Sequence, residues 1–119
     1  MYSERFLDHF QNPRNVGELP SPAIVIEVAN PACGDILRLS ARIEESRIAE
    51  ARYKVRGCAA SIAAGSSLTE LLAGKTRREA ATIRAADVED SVGGLIPESK
   101  HAAVLCVDAV KKLLAAWPR

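Results

Sequence analysis

The sequence has no strong excess of charge of either sign. Its 16 lysine and arginine residues oppose 15 aspartate and glutamate residues, which gives a net charge of +1. Proteins that attract nucleic acid or an anionic lipid surface over long range usually carry a large basic excess. Because 48% of the residues are apolar, the composition is typical of a globular chain. We therefore expect neither a nucleic-acid partner nor a membrane partner.

Long hydrophobic runs are also missing, and cysteine is scarce. No segment approaches the roughly 18 apolar residues that span a bilayer. The N-terminal MYSERFLDHFQ places Glu4, Arg5 and Asp8 among its apolar residues, whereas a secretory signal needs an uninterrupted apolar segment. The chain has three cysteines, an odd number that, without an export signal, predicts free thiols in a reducing compartment. We expect a cytoplasmic protein.

The length of 119 residues is that of one domain, since single domains commonly contain about 100 to 150 residues. We expect residues 1–119 to form that domain. Ser3 is a suitable N-cap for a short amphipathic helix over residues 3–11, which Asn12 and Pro13 end. A proline-rich loop follows, and the β-branched residues 24–28 predict a first strand.

Two further strands are predicted by alternation of apolar and polar residues. The second strand places four side chains on the core face: Leu37, Leu39, Ala41 and Ile43. Its other face carries Arg38, Ser40 and Arg42. After a turn near residues 44–47, the third strand points four side chains inward: Ala49, Ala51, Tyr53 and Val55. The pattern predicts an antiparallel meander with one face in water.

From Gly57 onward the hydrophobic period lengthens to about 3.6 residues, which indicates helices. Gly74 closes the first of them. Short helices are predicted over residues 76–84 and 85–92, and a long helix over residues 99–117 after the Gly93-Gly94 break. Three strands followed by helices predict an α+β fold with the helices packed on one face of the sheet.

Three chemically distinctive features lie at the ends of predicted elements. Cys33 follows the first strand in the stretch NPACGD, Cys58 lies at the junction of the sheet and the first long helix, and His101 begins the segment HAAVLC. Unpaired N–H groups and the dipole at a helix N-terminus favour a thiolate, the form that binds metal and accepts sulfur. The pattern indicates metal or sulfur chemistry at the end of the sheet.

Four blocks in order resemble the IscU/NifU-type iron-sulfur cluster assembly scaffold family. They are YSERFLDHFQNPRNVG, PACGD, YKVRGCAASIAAGSSLTELLAGK, and the histidine-bearing helix that closes with VDAVKKLL. The resemblance covers nearly the whole chain. It implies a three-stranded sheet with surrounding helices and a scaffold, not an enzyme, that builds a labile [2Fe-2S] cluster from iron and persulfide sulfur and passes it on.

Carried over residue by residue, the resemblance assigns Cys33, Asp35, Cys58 and His101 as metal ligands. In the family pattern a cysteine directly follows the histidine, and here that position holds Ala102. Cys106 lies four residues later, about 6 Å along a helix, so it is not a direct substitute when metal–sulfur bonds are about 2.3 Å. Cys106 is either a core residue on an apolar stripe or an auxiliary sulfur acceptor or ligand.

Each of these residues also has a structural interpretation. Cys33 and Cys58 could be buried free cysteines, which behave as small hydrophobes. Asp35 could be a turn residue, and His101 could be a solvated residue at a helix start. As a ligand, the hard oxygen of Asp35 would hold iron less tightly than thiolates do and allow a cluster to leave.

The resemblance also implies cofactors and partners. The cofactor is iron or a [2Fe-2S] cluster, and zinc is the alternative because two cysteines, one histidine and one carboxylate suit a tetrahedral zinc site. A zinc-binding or regulatory homologue that builds no cluster is therefore the second hypothesis. The implied partners are a cysteine desulfurase, acceptor apo-proteins, a frataxin-like protein and chaperones. The family's chaperone-recognition segment LPPVK is replaced here by LIPESK, which weakens the case for a chaperone.

Overall fold

The computed structural model describes residues 2–32 and 34–118. An antiparallel sheet and a set of helices form an α+β fold, as the sequence predicts. The elements, in chain order, are α1 (Glu4–Gln11), β1 (Ile24–Asn30), β2 (Asp35–Glu44), β3 (Arg47–Arg56), α2 (Ala59–Leu72), α3 (Arg77–Ala80), α4 (Ala85–Ser91) and α5 (His101–Ala116), with a 3₁₀ turn over Pro97–Ser99 before α5.

The first helix forms where the capping signal predicts it. The Ser3 hydroxyl accepts the Phe6 N–H at 3.1 Å and donates to the Val92 carbonyl at 2.7 Å. The Tyr2 ring stacks on that of Phe6, and its hydroxyl is 2.8 Å from that of Ser99. These contacts attach the N-terminal segment to the end of α4 and to the turn that precedes α5, so Tyr2 is an anchoring aromatic.

The three strands pair in the order β1-β2-β3, and both pairs are antiparallel. The pairing of β1 with β2 ends at Asn30 opposite Asp35. Glu45 and Ser46 both have positive φ, at 52° and 65°, the conformation that a two-residue hairpin turn between twisted strands requires. The predicted meander is confirmed.

The alternation in β3 breaks at a β-bulge. Arg42 pairs with Glu50, but Ile43 pairs with Ile48, so the chain between them carries an extra residue. As a result Ile48 is buried and Ala49 is exposed, and the predicted inward position of Ala49 is wrong. A bulge reverses the side-chain phase on one strand. Beyond it, the predicted burial of Ala51 is confirmed.

The second face of the sheet is only partly in water. Ser40, predicted to face solvent, is buried, and its hydroxyl accepts the Leu19 N–H at 3.0 Å. The loop over residues 12–22 passes over this part of the strand. Farther along the same face, Arg38 forms ion pairs with Glu18 and Glu27, so the uncovered part of this face is polar.

The core lies between the other face of the sheet and two helices. Helix α5 packs on β1 and β2, and α2 packs on β3, which confirms helices on one face. Helix α2 approaches closely because its residues are small. A Cβ at Gly65 would lie 2.6 Å from the Tyr53 ring, whose hydroxyl donates to the Ile62 carbonyl at 2.7 Å. This contact fixes the height of α2 above the sheet.

Two predicted helices differ from the structure by more than one residue at one end. The helix predicted over residues 76–84 is the single turn α3, because a capping box between Thr76 and Glu79 starts it and Ala81 ends it. The final helix begins at His101 instead of residue 99, since Pro97 begins a separate 3₁₀ turn. Within residues 2–32 and 34–118, no helix has the length and apolar character needed to cross a bilayer.

Gly65→Ala should lower the free energy of unfolding by about 1–3 kcal/mol, the usual cost of overpacking a core, although alanine is the better helix former. The reason is the contact between the new Cβ and the Tyr53 ring. Urea unfolding measures the change. In a Tyr53→Leu background the same exchange should cost much less, and an equal cost in both backgrounds would contradict this account.

Candidate metal centre

Three elements meet where β2 begins. Asp35 is the first residue of β2, Cys58 is the N-cap of α2, and His101 is the first residue of α5. They are distant in sequence, yet each offers a ligand atom, and these atoms all lie within 4.8 Å of one another. The structure therefore brings together three of the four predicted ligands, one oxygen, one sulfur and one nitrogen donor.

The three donor atoms form a nearly regular triangle. Cys58 Sγ lies 3.3 Å from Asp35 Oδ2 and 3.5 Å from His101 Nε2, and His101 Nε2 lies 3.4 Å from Asp35 Oδ2. Ligands about 2.0–2.3 Å from a tetrahedral ion are separated from each other by roughly 3.3–3.8 Å. The spacing of the three donors fits one metal ion without rearrangement.

The Asp35 carboxylate is almost completely buried, with 3% of the residue exposed. Its Oδ2 accepts a 2.6 Å hydrogen bond from the Ser61 hydroxyl and one from the Cys58 thiol. Burial acts to raise the pKa of Asp35, but the bonds from Ser61 and Cys58 and the nearby His101 ring lower it below its ordinary value. The group is thus held as a carboxylate, the form that binds metal.

Gly57 makes room for this carboxylate. A Cβ at Gly57 would lie 2.5 Å from Asp35 Oδ1, closer than non-bonded atoms approach. Gly57 precedes the α2 N-cap, so the strand end and the helix start can meet only because it has no side chain. Gly57, which precedes Cys58 in the sequence, therefore provides the space that the Asp35 carboxylate occupies.

The tautomer of His101 is set by the turn before α5. Its Nδ1 lies 3.1 Å from the Glu98 carbonyl oxygen, which can only accept, so Nδ1 carries the proton. The other ring nitrogen, Nε2, faces Asp35 and Cys58 and is the atom that would bind a metal. Metal-binding histidines usually make this kind of second hydrogen bond, which orients the ring and raises its basicity. The 3₁₀ turn therefore orients a ligand.

Cys33 lies outside the described residues. In sequence it precedes Gly34 and Asp35, and β1 pairs with β2 as far as Asn30 opposite Asp35. Its assignment as a ligand stays a prediction.

Neither position 102, which is an alanine, nor the third cysteine, Cys106, provides an exposed thiol. Ala102 is fully buried, and only 1% of Cys106 is exposed. Burial raises the pKa of the Cys106 thiol to about 12, so at neutral pH the sulfur stays protonated and unreactive. These observations favour the core interpretation of Cys106, and the auxiliary role stays a prediction. Among the described residues, Cys58 supplies the accessible thiol.

Three features of the site are not predicted from the sequence: Ser61, Glu98 and the contact of Gly57 with the Asp35 carboxylate. A signal for Ser61 was present, because residues three apart on a helix lie on one face and Ser61 follows Cys58 by three. Nothing local reveals that Gly57 contacts a carboxylate on another strand. The chain's other histidine, His9, is a buried structural residue with Nδ1 2.7 Å from the Ser66 hydroxyl.

A sequence model of the family described as NifU-like N terminal domain matches residues 1–119. The chain belongs to this family. Among curated relatives in it, the iron-sulfur cluster assembly scaffold protein IscU of Azotobacter vinelandii is 40% identical over 114 residues, 92% of this chain and 88% of its own. IscU of Escherichia coli is 37% identical over 120 residues, covering 98% and 93%. IscU 1 of Archaeoglobus fulgidus is 39% identical over 119 residues, covering 100% and 78%.

Solved structures show the same NifU-like fold. One assigned to an iron-sulfur cluster assembly scaffold protein for the SUF system of Fervidobacterium islandicum superposes with a TM-score of 0.77 at 23% identity, covering 95% of this chain and 96% of that one. The N-terminal part of a nitrogen-fixing NifU-like protein from Brucella abortus gives 0.61 at 22% identity, covering 95% and 79%. The expected family and fold are confirmed.

The burial of the two described thiols predicts different reactivity. In a metal-free Cys33→Ser variant, the exposed Cys58 should react with a thiol reagent such as DTNB in the folded protein. Cys106 should react only after unfolding, because it is buried and protonated. The measurement is thiol equivalents against time, with and without denaturant. Reaction of both thiols in the folded chain would contradict the core position of Cys106.

Proposed function

We propose that this chain is an iron-sulfur cluster scaffold or carrier and not an enzyme. It binds iron or a labile [2Fe-2S] cluster through Cys33, Asp35, Cys58 and His101 and transfers it to acceptor proteins. The observation that carries the proposal is the triangle of oxygen, sulfur and nitrogen donors, with sides of 3.3 to 3.5 Å. The curated relatives, which are named as such scaffolds, support it.

The donor set suits cargo that must leave. Thiolate and imidazole hold iron firmly, whereas a carboxylate is a harder ligand that suits iron-sulfur clusters less well. Asp35 is the deepest of the three donors, and the Cys58 and His101 side chains are more accessible. A partner protein can therefore reach the sulfur and nitrogen donors first.

The alanine at position 102 shifts the balance among scaffold roles. The family pattern has a cysteine there, directly after His101 in the first turn of α5, although the Ala102 side chain is fully buried in this structure. Without that cysteine, sulfur acceptance falls to Cys33 and Cys58. We propose that storage or transfer of a cluster competes with assembly from free iron and sulfur as the role of this chain.

The partners follow from this role. We propose a cysteine desulfurase as the sulfur source and apo-proteins as acceptors, with a frataxin-like protein and chaperones as further candidates, in the cytoplasm. We propose that residues 1–119 function as one domain, because α2 and α5 cover the same sheet and share its hydrophobic core.

Zinc binding is the second candidate, and the donor spacing favours it as well, because it fits a single tetrahedral ion. A zinc-bound homologue would regulate or stabilise and would build no cluster. Anaerobic reconstitution with iron, sulfide and a cysteine desulfurase separates the two candidates. Visible charge-transfer absorption supports the cluster, and a colourless protein with one tightly bound zinc supports the alternative.

Cys58→Ala should abolish most of the visible absorption after reconstitution, since it removes the accessible sulfur donor of the triangle. Cys106→Ala is the matched control, because it also removes one thiol but from the core. We expect it to leave the cluster yield near that of the unaltered chain while lowering stability by about 1 kcal/mol. If Cys106→Ala abolished the absorption and Cys58→Ala did not, the assigned ligand set would be wrong.

Ala102→Cys restores the cysteine of the family pattern and should raise persulfide acceptance or cluster yield several-fold, provided that its sulfur extends beyond the buried Ala102 position to the donors. Ala103→Cys is the control, since Ala103 is equally buried on the next position of the helix. Mass spectrometry after incubation with desulfurase and cysteine counts the added sulfur atoms. An equal gain in both variants, or none in either, would contradict the importance given to position 102.

A further inference from the structure

A buried hydroxyl lies directly behind the donor triangle. Ser61 is in the first turn of α2, and only 2% of it is exposed. Its hydroxyl donates a 2.6 Å hydrogen bond to Asp35 Oδ2 and lies 3.6 Å from Cys58 Sγ. The side chain thus contacts two of the donors without pointing into solvent.

We propose that Ser61 is a positioning residue that fixes the Asp35 carboxylate in its metal-binding orientation. This inference rests on the proposed function, since it treats Asp35 as a ligand. Ser61 is not itself a ligand here. It acts through the carboxylate, in the way that outer hydrogen-bond partners orient the ligands of metal sites.

The hydrogen bond acts on the oxygen that faces the site. Oδ2, which accepts from Ser61, is also the oxygen 3.3 Å from Cys58 Sγ and 3.4 Å from His101 Nε2. The terminal torsion of an aspartate is broad and restricts the carboxylate weakly by itself. Here the hydrogen bonds from Ser61 and Cys58 restrict Oδ2, the Ser61 bond being the shorter, and the Gly57 backbone lies close to Oδ1.

Backbone hydrogen bonds hold Cys58 and Ser61 in one helical turn. The Cys58 carbonyl accepts the Ser61 N–H at 3.1 Å and the Ile62 N–H at 3.2 Å. The thiol and the hydroxyl therefore share the geometry of a closed helical turn. When the hydroxyl holds Asp35, it sets the distance between a donor on β2 and a donor on α2.

Ser61 departs from the usual behaviour of a serine inside a helix. Such a hydroxyl commonly donates to a carbonyl three or four residues earlier. Ser67 on the same helix does this, with a 2.9 Å bond to the Ala64 carbonyl. Ser61 donates instead to a charged group on another element. An ionised carboxylate has lone pairs for several partners, so this bond is compatible with metal binding at Oδ2.

Zinc binding tests the inference without cluster assembly. With Zn²⁺ alone as the probe, competition against a chromogenic chelator should show that Ser61→Ala binds about 10–100-fold more weakly than the unaltered chain, the usual loss for an outer partner of a metal ligand. Ser67→Ala is the control, because it removes a buried hydroxyl from the same helix. We expect it to keep the affinity of the unaltered chain.

A double-mutant cycle shows whether Ser61 acts through the carboxylate. In an Asp35→Ala background, Ser61→Ala should cause little further loss of Zn²⁺ affinity, because the group it orients is gone. A serine with a merely structural role would cause the same loss in both backgrounds. Equal losses would therefore overturn the inference.

The remaining outcomes separate this inference from the proposed function. If the unaltered chain binds Zn²⁺, Asp35→Ala weakens it and Ser61→Ala behaves like Ser67→Ala, the positioning role is wrong and the metal site stands. If the unaltered chain binds neither Zn²⁺ nor iron, both the site and the positioning role are wrong.

Discussion

The buried carboxylate of Asp35 is the constraint on which this end of the molecule depends. An ionised group removed from water is costly unless hydrogen bonds and nearby charges replace its hydration. Here the Ser61 hydroxyl, the Cys58 thiol and the His101 ring surround it. These partners come from α2 and α5, while Asp35 begins β2. The contacts of this one carboxylate therefore join the start of β2 to the starts of α2 and α5.

That convergence needs backbones that approach closely. Helix α2 has buried residues on nearly all of its faces, which is typical of a helix enclosed by other elements. Its small side chains let it lie against the sheet, with Gly65 on the Tyr53 ring. Just before the helix begins, Gly57 leaves space for the Asp35 carboxylate. The position of Cys58 therefore depends on the packing of Gly65 away from the site as well as on the contacts of Gly57 and Ser61 with Asp35.

Much of the fold follows from local sequence signals, and the departures have identifiable causes. Alternation places the core-facing residues of β2 correctly, because the extra residue of the bulge lies on β3. It fails at Ala49 because the bulge opposite Arg42 is a property of strand pairing and leaves no mark on β3 alone. It fails at Ser40 because a distant loop covers that residue. Local patterns cannot show what lies opposite a side chain in three dimensions.

The same distinction applies to the site. Asp35, Cys58 and His101 are predicted by resemblance and meet in the structure, whereas the contact between Ser61 and Asp35 joins residues 26 positions apart. For the proposed carrier, the difference in burial between the Asp35 oxygen and the other two donors has a chemical consequence. The buried oxygen is held rigidly by the protein, while Cys58 is exposed and the His101 side chain is 24% exposed. A groove of about 230 Å³ beside His101 continues to Val104, which is 52% exposed. A partner protein would thus reach the sulfur and nitrogen donors first, while the weakest iron ligand, the Asp35 oxygen, lies on the buried side of the site.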